Sequence, residues 1–454
     1  MHAIVVGGGQ VGRNIADRLT REGNDVTVVD TDSERLRDIA EHQDVRTILG
    51  RGSSPAVLAS ADIRSAELLI AVTDSDEANI MACVMAGAVS PATVKIARVR
   101  ELDYASYAQS LERMGVRIDL FINPERVVAD RIRRVLQVPG AIDVSVFAEG
   151  RVLLAAFRVP VDHPIAGQTL AEIASQGKAP DVLVVALQRA GRLVIPRGDE
   201  RVLSGDIVYL VVPSVAMAEI ARFLGLPSKP TRRVFIHGAG NVGFLLARDL
   251  ESEGVQVKVI EPDARRCALL SETLSRGVVL QGDGADWELL EEENVQDAGA
   301  YVSLTDDQEL NILSALLAKR LGVQTVYALI DRPGYAALAA AIGVDVPVST
   351  RLSAVSSILH YARRGRILAA ADFFEEEAEA IEVQAMETSS LVGRPLREVK
   401  LPRGAIVGAI VRGGEVVIPR GDSIIRAGDR VIFFALREAV PQVEKAVAVS
   451  LEYF

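Results

Sequence analysis

The feature that most constrains this chain is a glycine-rich turn that occurs twice, half a chain apart. VVGGGQVGRNIADRL (Val5–Leu19) is echoed by IHGAGNVGFLLARDL (Ile236–Leu250), so that Gly7, Gly9 and Gly12 fall on Gly238, Gly240 and Gly243 at an offset of 231. Asp30, which ends DVTVVD, falls on Glu261, which ends VKVIE, at the same offset. ILGRGSSP (Ile48–Pro55) matches VLQGDGAD, and LIAVTDSDEAN (Leu69–Asn79) matches YVSLTDDQELN (Tyr301–Asn311) at 232. VIPRGDERVLSGDIVYLVV (Val194–Val212) matches VIPRGDSIIRAGDRVIFFA (Val417–Ala435) at 223. The 454 residues are thus a tandem duplication, too long for one core at a typical ~150 residues per domain. The proline-marked PSKPTR (Pro227–Arg232) reads as the joint between halves.

Each half opens with apolar runs alternating with amphipathic helical patterns: HAIVV, GRNIADRLTREG, DVTVV, SERLRDIAEH, RTILG, LLIAV and a helix from about Glu77. That alternation predicts an α/β, Rossmann-like parallel sheet wrapped by helices. Gly7 allows the tight turn, Gly9 lets backbone amides approach a pyrophosphate, and Gly12 lets helix and strand pack closely. The acid 18 residues after Gly12 ends the second strand, where a carboxylate accepts both ribose hydroxyls and repels a 2′-phosphate. NAD(H) is favoured over NADP(H), with ATP and ADP sharing the same adenosine half. The competing reading of Asp30 and Glu261 is a solvated strand-end carboxylate.

Further candidates lie along the same sheet edge. Gly50 and Gly52, matched by Gly282 and Gly284, follow the third strand, either as turn glycines or beneath an adenine. Thr73 and Asp74, with Thr305 and Asp306, end the fourth strand, as ligand contacts or as helix caps. Arg98 in VKIARVR ends the fifth strand, as a bidentate phosphate donor or as a surface charge. At an offset of 232 its counterpart is Ile330, with Arg332 two residues on, so the two sites are not chemically equal.

Behind each front lobe comes a smaller one. VSVFAEG/RVLLAAFRV, QTLAEIAS, VLVVALQ, RLVIP and IVYLVV predict a small mixed sheet with one short helix, as do GAIVGAIV, RGGEVVIP and RAGDRVIFFA in the second copy. Such lobes suit self-association or small-ligand sensing, and neither carries a nucleophile or metal cluster in context.

Composition narrows the function. A net charge of −11 argues against nucleic acid, which needs a basic face. Apolar runs such as Val182–Leu187 and Ile406–Val411 fall far short of the ~20 residues of a membrane span, and AIVVGGG follows the first residues with no basic leader. Two cysteines, Cys83 and Cys267, have no metal or redox spacing, which fits a reduced cytoplasm. His2, His42, His163, His237 and His360 show no ligand spacing, with His237 a strand-end residue near the turn. Trp287 reads as core or interface, and EEEAE (Glu375–Glu379) as a solvated face or linker.

VVGGGQVGRNIADRL with VVD, LGRG, TDSDEAN and KIARVR resembles the N-lobe of regulator-of-potassium-conductance (RCK, or KTN) domains, and VIPRGD…GD resembles their C-lobe. The resemblance covers essentially the whole chain and implies two RCK N-lobe/C-lobe pairs, at residues 1–122, 141–226, 231–350 and 368–454. It implies no enzyme but a regulatory subunit that binds NAD(H), with ATP or ADP as alternative ligands. It also implies a homo-oligomeric ring, a tetramer, under a TrkH-like membrane potassium-translocating subunit, cytoplasmic and peripheral to the inner membrane through that partner. The family's nucleotide positions carry over to Gly7, Gly8, Gly9, Gln10, Val11, Gly12, Asp30, Gly50, Thr73, Asp74 and Arg98. In the second copy they are Gly238, Gly240, Asn241, Val242, Gly243, Glu261, Gly282, Thr305 and Asp306. The alternative, an NAD-dependent oxidoreductase with duplicated lobes, needs one unique acid/base beside the nicotinamide, and the sequence offers none.

Overall fold

The computed structural model describes residues 1–101, 104, 107–113, 115, 117–176, 181–226, 231–332, 334–362, 368–373 and 377–447. Pro227–Pro230 of the expected joint, and Glu375 and Glu376 of the acidic run, lie outside the described residues. The chain divides into two compact units, residues 1–128 with 349–362, and residues 129–348 with 363–454.

In the first unit six parallel strands form one sheet: β1 (His2–Val6), β2 (Asp25–Asp30), β3 (Arg46–Leu49), β4 (Leu68–Ala71), β5 (Val94–Arg98) and β6 (Leu120–Ile122), in the order β3-β2-β1-β4-β5-β6. Continuous runs such as AIVV serve a sheet covered on both faces. Ala3 and Val5 point into one core with Ile15, Leu19, Ile70 and Ile96, while Ile4 and Val6 point into another with Leu69, Ala82 and Cys83. The first core also takes Ala354, Val355, Ile358 and Leu359 from the helix Thr350–Ala362, a segment from far along the chain. Tyr361 ties that helix to the sheet, its hydroxyl donating to the Asp119 carbonyl at 2.9 Å.

The second unit repeats the parallel sheet with β12 (Arg233–His237), β13 (Gln256–Glu261), β14 (Val278–Gln281), β15 (Ala300–Ser303), β16 (Thr325–Leu329) and β17 (Val346–Val348), in the order β14-β13-β12-β15-β16-β17. The helix Pro124–Leu136 contributes Arg133, whose guanidinium pairs with Glu253 at 3.1 Å, and Gln137, just past its end, bonds the same carboxylate.

The same unit holds both small sheets. One comprises β7 (Ala141–Phe147), β8 (Val152–Arg158), β9 (Leu183–Arg189), β10 (Arg192–Val194) and β11 (Ile207–Pro213), in the order β10-β9-β11-β8-β7. The other comprises β18 (Ala369–Phe373), β19 (Ala378–Gln384), β20 (Ala405–Arg412), β21 (Glu415–Val417) and β22 (Arg430–Leu436), in the order β18-β19-β22-β20-β21. Every strand pair in them is antiparallel, correcting the expected mixed sheet: β8 and β9 run the same way, joined by a connection that holds the helix Leu170–Ser175, but β11 lies between them and pairs antiparallel with both, as β22 does between β19 and β20. The GD motif explains itself here. Asp206 and Asp429, both buried, receive bidentate bonds from Arg189 and Arg412 and cap the amides of Leu203 and Arg426.

The two small sheets share one core, in which Val185, Tyr209 and Val211 meet Phe373, Ala409 and Phe434. Glu382, 1% exposed, crosses that seam: it takes the Ala148 amide at 2.9 Å and pairs with Arg430, which also holds Glu149. Glu379 is likewise buried in β19, so the acidic run is not simply a solvated face: its last two residues, Ala378 and Glu379, begin a buried strand. Trp287 is 41% exposed at the start of the helix Trp287–Glu292 and is no core residue.

Candidate functional site

The helix after β1 (Gln10–Arg21) starts at Gly9, and the helix after β12 (Asn241–Ser252) at Gly240. Neither N-terminus has a side-chain cap or an acid in its first turn, whereas Asp32, Ser75, Asp263 and Asp307 cap the helices that follow β2, β4, β13 and β15. Two helices therefore present free amides and the positive end of their dipole at the carboxyl edge of a sheet, beside the strand pair where the order reverses. Gln10 and Asn241 are exposed there, and Val11 and Val242 bury the helix's inner side. A Cβ on Gly9 or Gly240 would meet nothing within 4 Å, leaving the approach to the amides open.

The other glycines are held by packing. Gly7 (φ +110°) and Gly238 (φ +99°) take the left-handed region, and a Cβ on Gly7 would sit 3.0 Å from the Thr73 nitrogen. A Cβ on Gly12 or Gly243 would collide with the carbonyl oxygen of Gly7 or Gly238. Gly8 lies against Asp30 and Ile39, while Ala239 takes its place in the second copy. Gly50 passes under Val57, and Gly282 under Leu289, close approaches that account for both without a ligand.

The strand-end acids are neither free nor fully solvated. Asp30 accepts the Gly8 amide at 2.5 Å and the Asp32 amide at 2.8 Å. Glu261, 3% exposed, accepts Ala239 at 2.6 Å and Asp263 at 3.0 Å. Each carboxylate braces the glycine turn from below. Asp30 is only half-buried, at the sheet edge where a ribose would lie.

Thr73 and Thr305 meet a residue that the sequence reading passed over. Asn79 is fully buried: its Oδ1 accepts the Thr73 amide at 2.8 Å and hydroxyl at 2.7 Å, and its Nδ2 donates to the carbonyls of Thr73 and Arg98. Asn311 does the same with Thr305 and with the Leu329 carbonyl. The signal was in view, as the final residue of both TDSDEAN and TDDQELN. Asp74 and Asp306 are exposed and cap nothing; Ser75 and Asp307 are the caps.

This network corrects the register at the fifth strand. Arg98 and Leu329 occupy the same place, and Val99 pairs with Ile122 as Ile330 pairs with Val348. The counterpart of Arg98 is Leu329, not Ile330, because the second copy drops one residue between helix and strand. Arg98 is half-buried, its Nε lacks a hydrogen-bond partner, and burial, with Arg100 nearby, holds its guanidinium below the usual arginine range. Arg332 is committed elsewhere: it pairs with Glu309 and lies 5.5 Å from the Tyr335 ring. The loops diverge too, with Arg51 in the first where the second has Asp283.

Known proteins share this plan. Residues 3–124 and 234–350 match the TrkA-N domain, and residues 154–225 and 380–448 match the TrkA-C domain. The Trk system potassium uptake proteins TrkA of Azorhizobium caulinodans and of Halomonas elongata are each 39% identical to this chain, covering 100% of both sequences. Among solved structures, the GsuK RCK domain superposes with a TM-score of 0.61 at 19% identity, covering 98% of this chain and 94% of that one. The GsuK channel bound to NAD gives 0.60 at 19% identity, covering 98% and 78%. With both domain types present twice and relatives matched from end to end, the chain belongs to the TrkA family of Trk-system potassium uptake proteins.

Proposed function

We propose that this chain is the nucleotide-sensing regulatory subunit of a potassium-uptake system, binding NAD(H), ATP or ADP in its front lobes and gating a TrkH-like membrane subunit. The carrying observation is an uncapped helix N-terminus beside a strand-end carboxylate, made twice at the switch point of a parallel sheet. Free amides suit a phosphate, and the acid suits a ribose. The names of the relatives and the NAD-bound GsuK channel of the same fold support the reading.

Phosphate discrimination belongs to the first site, where the Nε of Arg98 lacks a hydrogen-bond partner; Leu329 offers only packing. The second front lobe exposes the apolar side chains of Leu313, Leu338 and Ile342, which suits burial in a homo-oligomeric ring, taken here as a tetramer. No helix among the described residues is long and apolar enough to cross a membrane, so the inner membrane is reached through the partner. A ligand gates only if its affinity differs between two ring states.

The test is calorimetry of the full chain with ATP, ADP and NADH, followed by potassium flux through the reconstituted partner. Flux that ignores every nucleotide overturns the gating. NADH absorbance should stay flat across a substrate panel, and steady hydride turnover would favour an enzyme instead.

A further inference from the structure

Directly before the second glycine turn lies a buried imidazole that the first half lacks. His237, 1% exposed, ends β12 and places Nδ1 3.1 Å from the Ser303 hydroxyl and 3.2 Å from that of Ser314. Val6, Ala71 and Ala82 hold the three corresponding places in the first half, so a polar cluster has replaced an apolar one.

The hydroxyls are wired to the edge of the site. Ser303 gives its single proton to Asn311 Oδ1 at 2.9 Å, so toward the imidazole it can only accept, while the Ser314 hydroxyl, 3.2 Å from the same nitrogen, can stand as donor or acceptor. Asn311 Oδ1 in turn holds the Thr305 amide and hydroxyl, while its Nδ2 spans the Thr305 and Leu329 carbonyls. The groups facing the ring are Tyr301 of β15 at 6.5 Å, Ser314 of the helix Gln308–Arg320, Gly284 and Asp283 of the loop after β14, and Glu261 of β13. Burial holds the imidazole below its ordinary range, while Asp283 and Glu261 pull the other way.

We propose that His237 makes the second site proton-linked: an anionic phosphate at the Gly238–Gly243 turn and a proton on the ring each favour the other's binding. The inference rests on the nucleotide reading above. A positive charge one residue before the turn attracts the ligand, and by reciprocity the ligand makes the ring easier to protonate. The second site therefore tightens as pH falls below neutrality. The first, with Val6 in that place, has no such term.

NADH is the probe, because its pyrophosphate carries the same charge across the range used. Trp287, the sole tryptophan, lies in the second front lobe, and its quenching by NADH reports binding there. Affinity should rise about threefold to tenfold from pH 8 to pH 6, since one unit of pKa shift corresponds to tenfold. The variant His237→Val/Ser303→Ala/Ser314→Ala installs the first half's own apolar trio, which keeps it foldable, and should bind with a flat pH profile. Equal slopes in the two proteins, or a flat profile in the parent, overturn the linkage while leaving nucleotide binding intact. Absence of quenching at every pH overturns the nucleotide reading at this site, and the linkage with it.

Discussion

Gly9 and Gly12 stand three residues apart and respond to opposite demands. A methyl group at Gly12 collides with the Gly7 carbonyl, so Gly12→Ala should cost about 3 kcal/mol or more in urea denaturation. A methyl group at Gly9 meets nothing, so Gly9→Ala should fold normally yet lose nucleotide affinity, because the open space is where a phosphate would approach. Asp30→Ala should weaken NADH or ATP binding about tenfold to a hundredfold by calorimetry, the range set by a charged hydrogen bond. The same carboxylate braces two amides, so a stability loss of about 1–2 kcal/mol should accompany it. Arg98→Ala should erase discrimination between ATP and ADP, while Arg332→Ala should leave it intact, since Glu309 and Tyr335 already engage that side chain. His237 also makes a stability statement. A buried ring held below its unfolded range contributes stability that is full above about pH 6.5 and is lost as pH falls from there. His237→Val should remove that acid sensitivity in thermal melts of the ligand-free chain.

Between elements, an acid just before the sixth strand, bonded to the fifth, is paired with a lysine in both copies by different means. Asp119 bonds the Lys95 amide and lies 3.7 Å from the Lys95 ammonium, a lysine of β5 itself. Asp345 bonds the Val326 amide in the same way, but its lysine is Lys319, reaching across from the preceding helix. Gly87 and Lys95 stand where the second copy has Lys319 and Val326. Lys95→Val should therefore destabilise the first lobe, and adding Gly87→Lys should recover much of the loss, read as denaturation midpoints of the two variants. A double variant no more stable than the single one would show the two solutions are not interchangeable. The alternation of apolar runs made both parallel sheets legible, because their strands are buried on both faces and sit between well-marked helices. Other features were silent for physical reasons. The pattern of Thr350–Ala362 says that Ala354, Val355, Ile358 and Leu359 are buried, but not that they join the core around Ile15 and Leu19. VYALI has no charged residue to set against Lys95 and Arg98 of KIARV and fix the register, so the dropped residue that moves the counterpart of Arg98 to Leu329 shows only in the bonds of Asn79 and Asn311. The acids bracing the glycine turns are legible as site residues from their place at a strand end, but their hold on backbone amides depends on how the turn folds back over the strand.

At the scale of the whole chain, the proposed function has a consequence for how the membrane would be reached, by way of another protein. The net charge of −11 disfavours anionic lipid, so the chain should sediment with vesicles containing its partner and not with protein-free anionic liposomes. Pelleting with bare liposomes would contradict a partner-mediated attachment. The shared core of the small sheets carries a different lesson, about what duplication permits. In a half-length ancestor pairing with an identical copy, each residue at the seam would be present twice, and enlarging one side would enlarge the other. Here Gly408 faces Val211 and Val185 of the first small sheet, while Phe434 of the second packs against Phe373 and Tyr209. By offset, Gly408 corresponds to Val185 and Phe434 to Val211, so one copy has shrunk at one position and grown at the other. Covalent fusion has released the two copies from mirror obligation, and a surface that once had to fit itself now has only to fit its sibling.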